Sequence, residues 1–360
     1  MILPQTYAAA VFILVIALAC LSAWANTYKM AVERAPASGK TQKLRFELYY
    51  FDWIVGAFLC VSILALTAGS LGFDGFSFRD DLMIAPRRQW LYALLAGVLL
   101  GFGNGLLLAS LSLAGMAVAF PIGAGVSIVV AAAIGFAMHH DRPFTFLLLG
   151  SCLVLAAAVA AALAYRFLLV LRHEEAARAG TATSTRRPLA AKPLILASVA
   201  GLLLGSIFPL ADKVQAGETV LGPYSFAFLY TFGAASSALL LNLFLMNLPV
   251  EGEPLEIPDY FRGGVRKHLY GLAGGAVWAA GLVAALVPTA AALEAPARTG
   301  PPVTYGLTQA AAPLAALLGI FVWKELRGAD ARVVVLTGLA IILLTGGIGV
   351  LAVAPLYAAR

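Results

Sequence analysis

The chain has 360 residues, 61% of them hydrophobic and 12% charged, with a mean hydropathy of +0.91 and a formal net charge of +6. No soluble domain hides that much apolar side chain, and apolar runs of bilayer length recur along the whole sequence, so composition points to an integral membrane protein in contact with lipid. The positive charge lies in the loops between those runs, where membrane topology places it, and a nucleic-acid partner is excluded as its explanation.

Tyr7 to Ala25 is the first apolar run. It lacks a basic start and exceeds the usual signal core, so it is expected to remain as an uncleaved span with Trp24 near its end. A polar, basic loop leads to span two, Phe46 to Leu71, which opens on Glu47-Leu48-Tyr49-Tyr50-Phe51-Asp52-Trp53. The aromatics read as an interfacial belt, and Asp52 is the odd member. A carboxylate just inside the apolar phase is a candidate for proton coupling; the alternative is that it snorkels to water beside Arg45 and Glu47.

Leu91 to Asp141 is a membrane hairpin, spans three and four, with a tight break at Leu113-Ala114-Gly115. Gly97, Gly101 and Gly105 recur every fourth position and form a smooth stripe for a neighbouring helix. Asn104 sits beside that stripe and should face other helices or a wet cavity, because an amide among acyl chains is costly. Span four meets Pro121, Gly123 and Gly125 within about two turns. Pro121 removes an amide donor and frees the carbonyl of Ala117, so a helix break is expected there, either lining a cavity or as a packing kink.

Span five runs from Phe144 to Leu171, and Arg172 to Lys192 then interrupts the pattern with charges, Thr and Ser. The remaining spans are Leu194–Val214, Tyr224–Leu248, Leu269–Leu293, Val303–Trp323 and Val333–Leu356. The expected fold is therefore all-α and integral to the membrane: ten transmembrane helices as a first five-helix repeat (1–171), a basic linker (172–192) and a second five-helix repeat (193–360). Gly97-Val98-Leu99-Leu100-Gly101 finds an echo in Gly275-Ala276-Val277-Trp278-Ala279 at an offset of about 180 residues, the mark of internal duplication in transporters. An odd number of spans per repeat makes the two copies inverted, with a shared cavity near the midplane. Lys and Arg concentrate after the odd-numbered spans, which puts the linker in the cytoplasm and both termini outside. The membrane expected is a bacterial inner (plasma) membrane.

Polar groups inside a bilayer are the informative ones. Asn104 and Gln309 each donate and accept, as sugar hydroxyls or ureide carbonyls require, with interhelical hydrogen bonding as the plainer alternative. Thr304, Tyr305 and Thr308 share the approach on span nine. Trp24 and Trp278 offer stacking surfaces for a sugar or heterocycle, or serve as packing residues. Cys20, Cys60 and Cys152 fall inside apolar runs, no His or Cys spacing suits a metal, and no cofactor is indicated. No nucleophile and base are paired as an enzyme would need, and the chain has no Walker-type nucleotide loop.

Four stretches carry a resemblance: AGVLLGFGNG…GMAVAFPIGAG in the hairpin, LSAWAN ending span one, FDWIVGAFLCVSILALTAGSLG in span two, and TYGLTQAAAPLAALLGIFVWKEL in span nine. Together they resemble the drug/metabolite transporter superfamily, and within it look closest to the ureide permeases and the glucose/ribose porter type of sugar transporter. The resemblance implies a ten-helix inverted-repeat fold that moves small polar solutes by alternating access around a central site, often with protons. It equally admits members that export drugs or amino acids. A membrane scaffold that transports nothing is the alternative from another class.

Overall fold

Charge-free runs of some twenty residues leave the backbone no water to bond to, and only helices satisfy every amide within one segment. The structure, a computed structural model, describes residues 1–33, 45–139, 143–180, 191–215, 220–262, 264–290, 292–293 and 297–357. In chain order its helices are α1 (Tyr7–Glu33), α2 (Phe46–Leu66), α3 (Ala68–Leu71), α4 (Phe78–Ile84), α5 (Arg87–Ala114), α6 (Met116–Met138), α7 (Phe144–Arg178) and α8 (Ala191–Gly205). They continue with α9 (Phe208–Val214), α10 (Pro223–Asn247), α11 (Ile257–Phe261), α12 (Val265–Leu286), α13 (Pro301–Gln309), α14 (Ala311–Phe321) and α15 (Ala331–Val353). Among the described residues ten helical stretches are long and apolar enough to cross a membrane. Span two, Phe46–Leu71, has the bounds expected from sequence; α1 and α7 run on into the flanking polar residues. Residues 181–190 of the linker lie outside the described residues.

The chain forms two compact units, and each takes segments from both sequence halves. The first comprises Met1–Gly105 and Ser206–Ala311, the second Leu106–Gly205 and Ala312–Arg360. In the first unit α12 packs along both α1 and α2, and α10 packs on α2. Glycine makes these approaches possible. A Cβ on Gly56 of α2 would run into the backbone of Leu272 on α12, and one on Gly275 of α12 into the carbonyl oxygen of Trp53. The pair α5 and α10 meets in the same manner: Gly233 of α10 abuts the carbonyl of Leu94, and Gly97 of α5 abuts that of Tyr230. Gly56 and Gly233, like Leu94 and Leu272, are related by the same offset of about 180 residues that relates Gly97 to Gly275.

In the second unit α7 lies along α15, and α6 packs on α7 and α8. The α7–α15 contact is self-complementary. Gly150 receives Leu351, while Gly347, four residues before Leu351, receives Val154, four residues after Gly150. Thus each helix presents the same unit, a glycine and an aliphatic residue one turn on, to the other.

The local unwinding expected at Pro121, Gly123 and Gly125 is not found: α6 continues as one helix with Pro121 inside it. Pro121 lies in the second turn, so its missing donor costs only the bond to the Ala117 carbonyl, and packing on either side keeps the helix running. Gly123 and Gly125 are contact surfaces, with virtual Cβ atoms 2.7 Å from Leu107 Cδ1 and 3.2 Å from Ala158 Cβ. It is span nine that divides, between α13 and α14 at Ala310, where Pro313 leaves the Gln309 carbonyl without its helical donor.

Candidate functional site

The aromatic belt of span two becomes the centre of the first unit. Trp53, fully buried on α2, has the Trp24 ring of α1 at 5.5 Å, the Trp278 ring of α12 at 5.0 Å and a stacked Tyr50 at 5.5 Å. These rings occupy one another's faces, so Trp24 and Trp278 are brought together as a packed cluster. The indole N–H of Trp53 has no acceptor among the described residues. One turn before Trp53, the Tyr49 hydroxyl shares a 2.6 Å hydrogen bond with Thr27 Oγ1, in a space that Gly274 leaves open.

Asn104 shares a helix face with Gly101 and Gly105, one turn apart, and that face meets α2 and α10. The Tyr50 hydroxyl donates to the Gly101 carbonyl at 2.7 Å, and Leu241 fills the space above Gly105. Asn104 is 5% exposed and its Nδ2 finds no partner among the described residues. The amide donor that sequence singles out is therefore buried and unsatisfied, a costly state that an arriving acceptor would relieve.

The span-nine candidates line α13, which packs on α1. Thr304 Oγ1 lies 2.9 Å from Thr299 Oγ1, Thr308 returns its hydroxyl to the Thr304 carbonyl, and Tyr305 and Gln309 are half-buried. Gln309 shares no hydrogen bond with Asn104 among the described residues.

Asp52 does not snorkel. It is 2% exposed, accepts a hydrogen bond from the Tyr260 hydroxyl of α11 at Oδ1, and lies 2.8 Å from His268 Nδ1 of α12 at Oδ2. Gly271 makes room for it: a Cβ there would collide with the Asp52 side chain. Arg45 pairs with Glu47 at 2.6 Å and caps the Glu253 carbonyl, and Asn242 holds the Glu47 carbonyl at 2.9 Å. Tyr260, outside the spans, has its hydroxyl pushed up by burial and by the bond to Asp52. Neither Tyr260 nor His268 stood out in sequence, because a tyrosine on a loop and a histidine at a helix start carry no signal alone.

Two further acids are set in place. Asp81 of α4 is 6% exposed and accepts from the Gly222 N–H at the start of α10 at 2.9 Å. Burial pushes its carboxyl above the ordinary carboxylate range, while Ser225 and the Gly222 amide pull it down. It borders a cavity of about 270 Å³ lined by Phe76, Ile84, Leu221, Pro223 and Ala292 among others. In the second unit Glu325 takes the Met116 and Ala117 amides at 2.9 and 2.8 Å, capping α6. Gly115, at φ +86°, and Gly319 leave space for that carboxylate, Arg172 binds the Glu325 carbonyl at 2.9 Å, and Lys324 takes φ +52°. No group of three metal-ligating side chains exists among the described residues.

No family model matches the chain, and no curated protein matches it in sequence. A solved structure described as "Crystal structure of protein" covers 98% of this chain and 100% of its own at 16% identity, with a TM-score of 0.49. At that distance it says nothing of activity.

Proposed function

We propose that the chain is a secondary transporter of small polar metabolites, a sugar or a ureide or nucleobase, coupled to protons through Asp52. In this reading it is a drug/metabolite transporter-type protein whose two five-span halves are inverted copies. The observation that carries it is the exchange of equivalent glycine contacts: Gly56 on Leu272 and Gly233 on Leu94, and Gly150 and Gly347 on each other's helices. Contacts that repeat when the halves are exchanged are what a two-fold relation between them produces, and five spans per half reverse one copy relative to the other. Asn104, with its unpartnered donor, and the Thr304, Tyr305, Thr308 and Gln309 row supply polar groups at membrane depth for a solute to use. Trp24 and Trp278, packed on Trp53 in the same unit, would supply stacking surface.

The test is flux. Purified protein in liposomes is expected to accumulate at least one labelled sugar, nucleobase or ureide, faster with an imposed pH gradient than without. The panel is best chosen by thermal shift, since a bound solute stabilises the state that binds it. Flux of amphipathic drugs alone would replace this proposal with export. A protein inert toward every solute, with or without a gradient, would leave a scaffold.

A further inference from the structure

We propose that Asp52, His268 and Tyr260 form a single proton-binding site, in which the imidazole is the group that exchanges protons with water and the carboxyl is the group that stores them. Its coupling to solute movement rests on the transporter reading above; its ability to bind a proton does not.

The geometry assigns the roles. Both carboxylate oxygens of Asp52 are engaged, Oδ1 by the tyrosine hydroxyl and Oδ2 by the imidazole at 2.8 Å, and its side chain is 3% exposed. Water does not reach it directly. The His268 side chain, 18% exposed, is the more accessible member of the pair, and its Nε2 takes no part in the Asp52 contact. A proton arriving at Nε2 allows the Nδ1 proton to pass to Asp52 Oδ2. One proton has then entered, the imidazole is neutral again as its other tautomer, and the pair has gone from a net charge of −1 to zero. Tyr260 closes the remaining side, with its ring 4.5 Å from that of His268 and 6.0 Å from that of Phe51. Because Tyr260 sits on α11, in the loop joining α10 to α12, the charge on the carboxyl is read by a segment outside the membrane spans.

Other ionisable groups lie on the elements that pack around the pair. From α2 the nearest titratable group is Tyr49, bonded to Thr27, while Glu47 is paired with Arg45. On α11, Asp259 pairs with Arg262 at 2.7 Å. On α12, Arg266 lies over the Tyr270 ring and Lys267 is buried beside His268; α1 brings Tyr28, edge-on to Tyr49, and Lys29.

Infrared pH titration of the purified protein tests this without any solute. A carboxylic-acid carbonyl band should grow as pH falls and vanish in Asp52→Asn. Should that variant not be recoverable, Asp52→Glu is expected to retain the band at a changed frequency. His268→Phe removes the imidazole N–H donor that favours the ionised carboxyl and should move the midpoint upward by about one pH unit, a tenfold change in proton affinity. Tyr260→Phe removes the other neutral donor and should move it the same way. A band indifferent to Asp52, or a midpoint unmoved in His268→Phe, overturns the site. Uptake measured on the same variants separates the two ideas: a titration that behaves as described in a protein with no solute flux overturns the transporter reading and leaves the proton site standing.

Discussion

Asp81 ties its protonation to the seating of α10, because its carboxylate bonds the Gly222 N–H that begins that helix. With its folded-state affinity for protons raised by burial, its stabilising contribution is complete below the ordinary carboxylate range and is lost as pH rises through the raised value. Melting temperatures in detergent should therefore fall across that window more for the wild type than for Asp81→Asn; parallel curves would show that the acid is silent. Glu325 offers a second case. Its two oxygens each hold an otherwise unpaired amide of α6, so Glu325→Ala should cost about 1–3 kcal/mol, and Glu325→Gln, which keeps one acceptor, less. Three indistinguishable melts would refute that cap. At this scale the sequence is a partial guide. Asp52 is legible as a lone acid in an apolar run, but Tyr260 and His268 lie 208 and 216 positions away, and no local pattern links them to it.

The helices themselves are written plainly in the sequence, because twenty apolar residues in lipid have one way to satisfy their backbone. The small-residue stripes also declare themselves: Gly97 and Gly101 meet the carbonyls of Tyr230 and Ala234 as a packing face should. What a stripe omits is the identity of its partner, which is set by folding. Proline misleads for a similar reason. Pro121 and Pro313 carry the same covalent penalty, yet α6 absorbs the first while span nine divides near the second, and only tertiary packing separates the two outcomes. Substitution distinguishes contact glycines from idle ones. Gly275→Ala must push aside the Trp53 carbonyl and should cost about 1–3 kcal/mol. Gly338→Ala meets nothing within 4 Å and should be neutral or stabilising by up to about 1 kcal/mol. Equal losses at both positions would mean that the α2–α12 approach is looser than described.

For the molecule as a whole, the two compact units do not follow the two sequence halves, since each unit takes segments from before and after the linker. Counting spans and finding the echo of Gly97 in Gly275 yields a five-plus-five chain, but not which spans will pack together. That depends on long-range pairings such as α2 with α12 and α7 with α15, which no window of sequence contains. Cutting the chain within 181–190 and expressing both pieces together should restore the full protein, whereas either piece alone should fail. Recovery of a stable 1–180 fragment would contradict that.

The reciprocal glycine faces bear on how the protein is made. A ribosome delivers Gly56, Gly97 and Gly150 to the bilayer well before Leu272, Tyr230 and Leu351 exist to cover them. During that interval the newborn amino-terminal spans show bare grooves to lipid or to an insertase. Their quality control is thereby timed to the end of translation, and a message truncated past its middle should yield a product that is cleared by proteolysis.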